Sequence, residues 1–117
     1  MKIRTLLIVP AVALALASCS SSEKTLYSWY KYEDVTYEYS KAPTDDRQAQ
    51  VIEQYQKLIA KQKGTRKTVQ PGLYAEYGFL LCKSGKVEEG VSYLKKEIEL
   101  YPESELFISR IVKQFEE

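Results

Sequence analysis

Residues 71–104 read PGLYAEYGFLLCKSGKVEEGVSYLKKEIELYPES. Tyr74, Tyr77, Gly78 and Leu81 recur at three- and four-residue steps, the spacing of one helix face. Ser84-Gly85 then breaks the pattern, because glycine readily takes the left-handed conformation that ends helices. Val87, Val91, Leu94, Ile98 and Tyr101 resume the same rhythm. Pro102 stops it, since proline lacks a backbone donor and restricts the residue before it. The stretch therefore predicts a helical hairpin. Gly90 lies inside the second helix, at a cost of about 1 kcal/mol against alanine. Its place there implies a packing reason: with Gly78, it lets the two helices approach closely where they cross.

The hairpin resembles a tetratricopeptide (TPR) repeat, whose pattern is W-x2-L-G-x2-Y, then A-x3-F, then P. Tyr74 stands at the Trp place, Tyr77 at the Leu, Gly78 at the Gly and Leu81 at the Tyr. Gly90, Leu94 and Pro102 take the places of Ala, Phe and Pro. Only Gly78 and Pro102 match in identity; the others keep the size class.

The whole chain has 117 residues, enough for one small domain. Its formal charge of +1 gives no electrostatic case for nucleic acid. Histidine is absent, which removes the commonest general base and the commonest transition-metal ligand. Ten of the aromatic residues are tyrosine, a side chain with an apolar body and a polar tip that suits thin cores and contact surfaces.

At the N-terminus, Lys2 and Arg4 precede a short apolar run from Leu6 to Leu16, too short to span a bilayer as a stable helix. It ends in Leu16-Ala17-Ser18-Cys19, which resembles a bacterial lipobox. The resemblance implies that residues 1–18 are a lipoprotein signal peptide and that the Cys19 thiol accepts a diacylglyceryl group. Cys19 would then be the acylated first residue of a chain outside the cytoplasm, anchored stably by several acyl chains. An ordinary secretory signal cut near Ala17 or Ser18 is the other reading. Loss of Lys2 and Arg4 moves the formal charge from +1 to about −1. Ser20, where enteric inner-membrane lipoproteins carry Asp, favours the outer membrane, facing the periplasm. Residues 19–25 read as the lipidated Cys and a polar tether reaching about 20 Å. Residues 26–117 form the helical domain.

The segment LYSWYKYEDVTYEYSK, 26–41, is the most aromatic part of the chain. Strand alternation fits Tyr30 and Tyr32, then Val35, Tyr37 and Tyr39; a helix puts Tyr32, Val35 and Tyr39 on one face. An internal echo favours the helix, because Lys31-Tyr32-Glu33-Asp34-Val35 parallels Lys86-Val87-Glu88-Glu89-Gly90. On that reading it is the second helix of a degenerate first repeat whose first helix is lost. Trp29 either caps the helical core or rests in a membrane interface. After Pro43, Asp45 can cap a helix over 45–63 and Gln48 can reciprocate three residues on. Val51, Ile52, Tyr55, Leu58 and Ile59 give that helix its apolar stripe, and Gly64 closes it.

Residues 64–72 read as a loop with a small basic spot at Arg66 and Lys67, suited to solvent, an anion or a lipid headgroup. A last helix carries Phe107, Ile108, Ile111, Val112 and Phe115 on one stripe, with Ser104 as its cap. Repeat arrays need such a terminal helix to cover their last apolar face. Cys82 reads as a small buried hydrophobe. Glu88 and Glu89 are adjacent, so they diverge by about 100° on a helix and make a poor acid–base pair. No phosphate-binding glycine loop and no nucleophile with a visible base occur in the sequence. The expectation is a non-enzymatic protein without a cofactor or metal.

The fold class expected is all-α: about five short helices after the signal peptide, in TPR-like hairpins with a C-terminal capping helix. The mature chain also resembles a family of small bacterial lipoproteins with a TPR-like helical body. The residues that carry this are the lipobox, Leu26-Tyr27-Ser28-Trp29-Tyr30, Pro71 to Gly78, and Glu97 to Ser104. The sequence departs from it at Tyr30-Lys31, where relatives tend to carry glycine, and at Gly90, where alanine is usual. The resemblance implies genes neighbouring a CsgG-type curli-assembly lipoprotein, and no particular reaction. Two functions follow as expectations. One is an accessory, protein-interaction subunit of a CsgG-like outer-membrane complex. The other is a periplasmic binding module for extended peptide or cell-wall fragments. Trp29, Tyr30, Tyr55, Tyr74 and Tyr77 are the candidate partner contacts.

Overall fold

The computed structural model describes residues 24–117. Cys19, the signal-like run 1–18 and the start of the tether lie outside the described residues. Five α-helices follow in order: α1 (Tyr32–Lys41), α2 (Asp45–Ala60), α3 (Leu73–Lys83), α4 (Val87–Leu100) and α5 (Glu105–Glu116). A 3-10 turn, Pro102–Ser104, precedes α5. Helix α1 packs on α2, α3 on α4, and α5 on α4 and α3. The aromatic segment is thus helical from Tyr32 onward, and Tyr32, Val35 and Tyr39 do share the face turned to the core.

Two apolar clusters hold the helices together. In the first, Val51, Tyr55 and Leu58 of α2 meet Leu73, Tyr77 and Leu81 of α3, with Val69 from the preceding loop. In the second, Cys82 of α3 meets Val91 and Leu94 of α4 and Ile108 and Val112 of α5. Burial of a Leu- or Ile-sized side chain contributes about 1.5–3 kcal/mol each, so these two clusters supply the principal drive to fold.

The α3–α4 crossing is as close as the glycine spacing implies. A Cβ on Gly78 would stand 2.6 Å from the Gly90 carbonyl oxygen. One on Gly90 would stand 2.5 Å from the Gly78 carbonyl oxygen and from Cys82 Sγ. Both clashes involve backbone, which cannot swing away. Between the helices Gly85 takes a left-handed φ of 91°, and the Lys86 amide donates back to the Leu81 carbonyl at 2.9 Å.

The helix ends differ from the sequence reading in four places. Thr44, not Asp45, caps α2: its hydroxyl accepts from the Arg47 amide at 3.3 Å. Gln48 does not reciprocate; its amide donates to Ser84 Oγ at 2.6 Å and so ties α2 to the end of α3. Helix α2 stops at Ala60 rather than residue 63, and Gly64 is not its terminator. Gly64 is buried under the N-terminal segment, where a Cβ would come within 2.1 Å of the Leu26 carbonyl oxygen. Ser104 makes no side-chain cap on α5 and instead donates to the Tyr101 carbonyl at 2.6 Å. On α5 itself, Ile108 and Val112 are buried, whereas Phe107 is 68% exposed and so lies off the stripe assigned to it.

Gly78→Ala is expected to lower stability by about 1–3 kcal/mol, the usual cost of overpacking. Gly90→Ala is expected to cost about as much, because both glycines lie inside helices, alanine returns the same propensity of about 1 kcal/mol at each, and the clashes are equally close. Urea unfolding followed by circular dichroism measures both.

Candidate functional site

A trough runs between α1, α2 and α3, about 330 Å³ in volume. Tyr32, Tyr39 and Tyr55 form its walls with Phe79, and Glu76 and Lys83 supply its charges. Glu76 Oε2 accepts two phenol hydrogens, from Tyr32 at 2.6 Å and from Tyr55 at 3.3 Å. Burial first, and then the bond to Glu76, push the Tyr32 hydroxyl well above the usual phenol range. Burial and the same carboxylate do so for Tyr55. Both phenols therefore stay protonated as donors, and the pair fixes the carboxylate in position. A neighbouring pocket shares Tyr39, Leu80 and Lys83 and continues to Asp45, Gln48 and Ser84. Along α3, Glu76 to Ser84 spans about 12 Å at 1.5 Å per residue. The trough is thus elongated, with charges that alternate along it.

The aromatic rings form one connected series. Trp29 contacts Tyr32 at 5.3 Å, Tyr32 contacts Tyr55 at 6.1 Å, and Tyr55 contacts Tyr77 at 5.5 Å. Tyr77 meets Tyr93 at 4.5 Å, and Tyr93 stacks on Tyr74 at 6.0 Å with Lys96 above both rings. The five aromatic candidates therefore have different surroundings. Tyr77 is core at 2% exposure, and Tyr55 is buried except where it meets the trough. Tyr74 is half-buried in its stack, and Trp29 and Tyr30 are exposed. Tyr30 holds a left-handed φ of 45°, a conformation that glycine takes without strain and other residues rarely adopt. Its hydroxyl donates to the Lys61 carbonyl at 2.5 Å, and Lys57 Nζ sits 4.3 Å from its ring centre.

The segment before α1 is stitched to the loop before α3. The Thr65 amide donates to the Thr25 carbonyl at 3.0 Å, and the Arg66 amide to the Leu26 carbonyl at 3.2 Å. Ser28 is held from both sides: its amide donates to Gln62 Oε1 at 2.5 Å, and its carbonyl accepts from Gln70 Nε2 at 2.9 Å. Gln62 and Gln70 bond each other at 3.0 Å. Residues 64–72 are therefore an ordered joint with Val69 and Gln70 buried, rather than a solvated loop throughout.

Glu97, which the sequence reading passed over, is 3% exposed. Its Oε1 accepts from the Gly72 amide at the start of α3, and its Oε2 is buried without a partner among the described residues. Burial raises its carboxyl above the ordinary range; the Gly72 bond opposes this, and Glu103 and Glu76 add to it. Its three-residue step from Leu94 on α4 is the one sequence signal that pointed inward. Cys82 is buried, and burial pushes its thiol up. Glu88 and Glu89 are exposed in the first turn of α4. Among the described residues, no group of three or more His, Cys, Asp or Glu comes together to hold a metal ion. Among them, no helix is long and apolar enough to cross a membrane.

These features define a small all-helical domain of packed hairpins. The chain belongs to the family described as Domain of unknown function (DUF4810), whose profile matches residues 26–111. No curated protein and no solved structure matches it.

A carboxyl whose value is raised in the fold favours the protonated state. Glu97 thus supports the fold most fully below the ordinary carboxyl range, and that support is lost as pH rises through its raised value. Glu97→Gln keeps an acceptor for Gly72 and removes the charge. It is expected to raise stability at pH 7 and to flatten its fall between pH 4 and pH 7, on the order of 1 kcal/mol. Glu97→Ala loses the bond and is expected to be less stable than Glu97→Gln in the same urea titrations.

Proposed function

We propose that this chain is a non-enzymatic interaction subunit of the bacterial cell envelope. It is anchored through lipid on Cys19 to the outer membrane, faces the periplasm, and serves as an accessory to a complex built on a CsgG-like lipoprotein. The α3–α4 hairpin is a single TPR-like repeat and α5 its capping helix. The observation that carries this reading is the outer face of α5. Leu106 is 71% exposed and Phe107 68% exposed, consecutive residues about 100° apart on a helix whose other face is in the core. Isolated exposed apolar residues are ordinary, but a Leu-Phe pair on a well-packed helix suits the apolar centre of a protein interface. The lipobox at Leu16–Cys19 supports the location.

The trough supports a second reading, a binding module for extended peptide or cell-wall fragments. Tyr55 and the fixed Glu76 carboxylate line an elongated groove in which a basic side chain finds both charge and aromatic faces.

Cross-linked co-purification of the full-length protein from native membranes tests the two. The accessory reading predicts a CsgG-like lipoprotein in stoichiometric amount, lost with Cys19→Ala and lost with Leu106→Glu/Phe107→Glu while helical content is kept. Recovery of peptide or glycan without any protein, abolished by Glu76→Gln, would replace it with the second reading.

A further inference from the structure

We propose that the surface formed by residues 24–30 and 57–67 is a seat for an anionic lipid bilayer, which orients the domain on the membrane. The fold brings these two segments together by the contacts already described. Arg66 is bonded through its amide to Leu26, Lys63 through its amide to Ser28 Oγ at 2.9 Å, and Lys61 through its carbonyl to Tyr30. The Lys67 amide closes the same turn on the Gly64 carbonyl at 3.1 Å, and Lys57 covers Tyr30.

The charge of this surface is one-sided. Lys24, Lys57, Lys61, Lys63, Arg66 and Lys67 are six cations, all exposed, and neither segment contains an acidic residue. Among the described residues none of the six is in a salt bridge. Residues 24–117 carry fifteen cations and fifteen acids, so the remainder of the domain is acidic by the same six charges. The near-zero net charge hides this separation. Acids border it: Glu53 stands one helical turn before Lys57 on α2, Glu33 and Asp34 lie in the first turn of α1, and Glu103 comes to its edge where Tyr101 meets Tyr27.

Three exposed apolar or aromatic residues stand among the cations: Leu26 at 55%, Trp29 at 46% and Tyr30 at 40%. A polyanion in solution needs only the charges. An exposed Leu beside Trp and Tyr within a basic field suits the headgroup layer of a bilayer, where amphipathic rings and lysines gather. Thr25 is six residues from Cys19, about 20 Å of chain at full extension. This placement rests on the anchored reading. An anchor at Cys19 leaves this surface within reach of the bilayer, and the surface then decides which way the domain faces.

Trp29 is the only tryptophan in the chain, so its fluorescence reports the seat directly. The full-length lipoprotein is to be reconstituted into vesicles of phosphatidylcholine alone and of phosphatidylcholine with phosphatidylglycerol. The expected result is a blue shift and quenching by brominated lipid only in the anionic vesicles. High salt should reverse both, since screening shortens to about 3 Å at 1 M. Arg66→Gln and Lys67→Gln should each lower the ratio of seated to free domain about fivefold. Co-flotation with both vesicles but identical Trp29 emission would overturn the seat while leaving the anchor intact. Failure to float with phosphatidylcholine vesicles would instead count against the anchor. A salt-sensitive shift produced by a soluble polynucleotide, and not by anionic vesicles, would overturn the membrane as the occupant.

Discussion

The contact between the backbones of Gly78 and Gly90 sets the geometry of the rest. A helix crossing this close lets Leu94 reach over Gly78 and places Cys82 beneath Gly90, so that both clusters share α3. Tyr77 and Leu81 look toward α2, while Cys82 looks toward α4 and α5. Were the crossing to widen, the second cluster would lose its seal, and α5, which packs mainly through Ile108 and Val112, would lose its seat. Close-packed interiors tolerate little such movement.

Polar groups do a different part of the work at the other end. Ser28, Gln62 and Gln70 satisfy one another's donors and acceptors where the chain enters the domain. A buried amide left unpaired costs about 1–3 kcal/mol, so each member of this network holds the others to one arrangement. The result is a fixed root: position and direction at Thr25 are set by the domain and not by the tether. That fixity gives meaning to a charged surface around the root, because a swivelling entry point would leave its orientation undetermined.

The hairpin, its turn and its stop were legible because Gly78, Gly85, Gly90 and Pro102 each act through their own backbone. Local chemistry sufficed there. The aromatic segment 26–41 supported two periods, and packing of Tyr32 and Tyr39 on α2 decided for the helix. Thr44 and Asp45 are both good caps, and only the position of the Arg47 amide separates them. Gly64 was misread as a helix stop because its reason is a neighbour nearly forty positions away, the Leu26 carbonyl. Gln70 was invisible for the same cause, and Glu97 showed only its three-residue step from Leu94: a buried polar side chain is defined by partners that sequence spacing does not reveal. The trough is harder still, since its walls come from three helices.

Cys82 has one further implication. Its sulfur lies under Gly90, within reach of the Val87 carbonyl at 3.8 Å, and its residue is 4% exposed. An oxidant or alkylating reagent meets it only when α3 and α4 part. At high reagent concentration the rate of modification then stops depending on the reagent and equals the rate at which the hairpin opens. The thiol is a built-in clock for that motion: with reagent in excess, damage at Cys82 is paced by the hairpin's own breathing and not by the harshness of its surroundings.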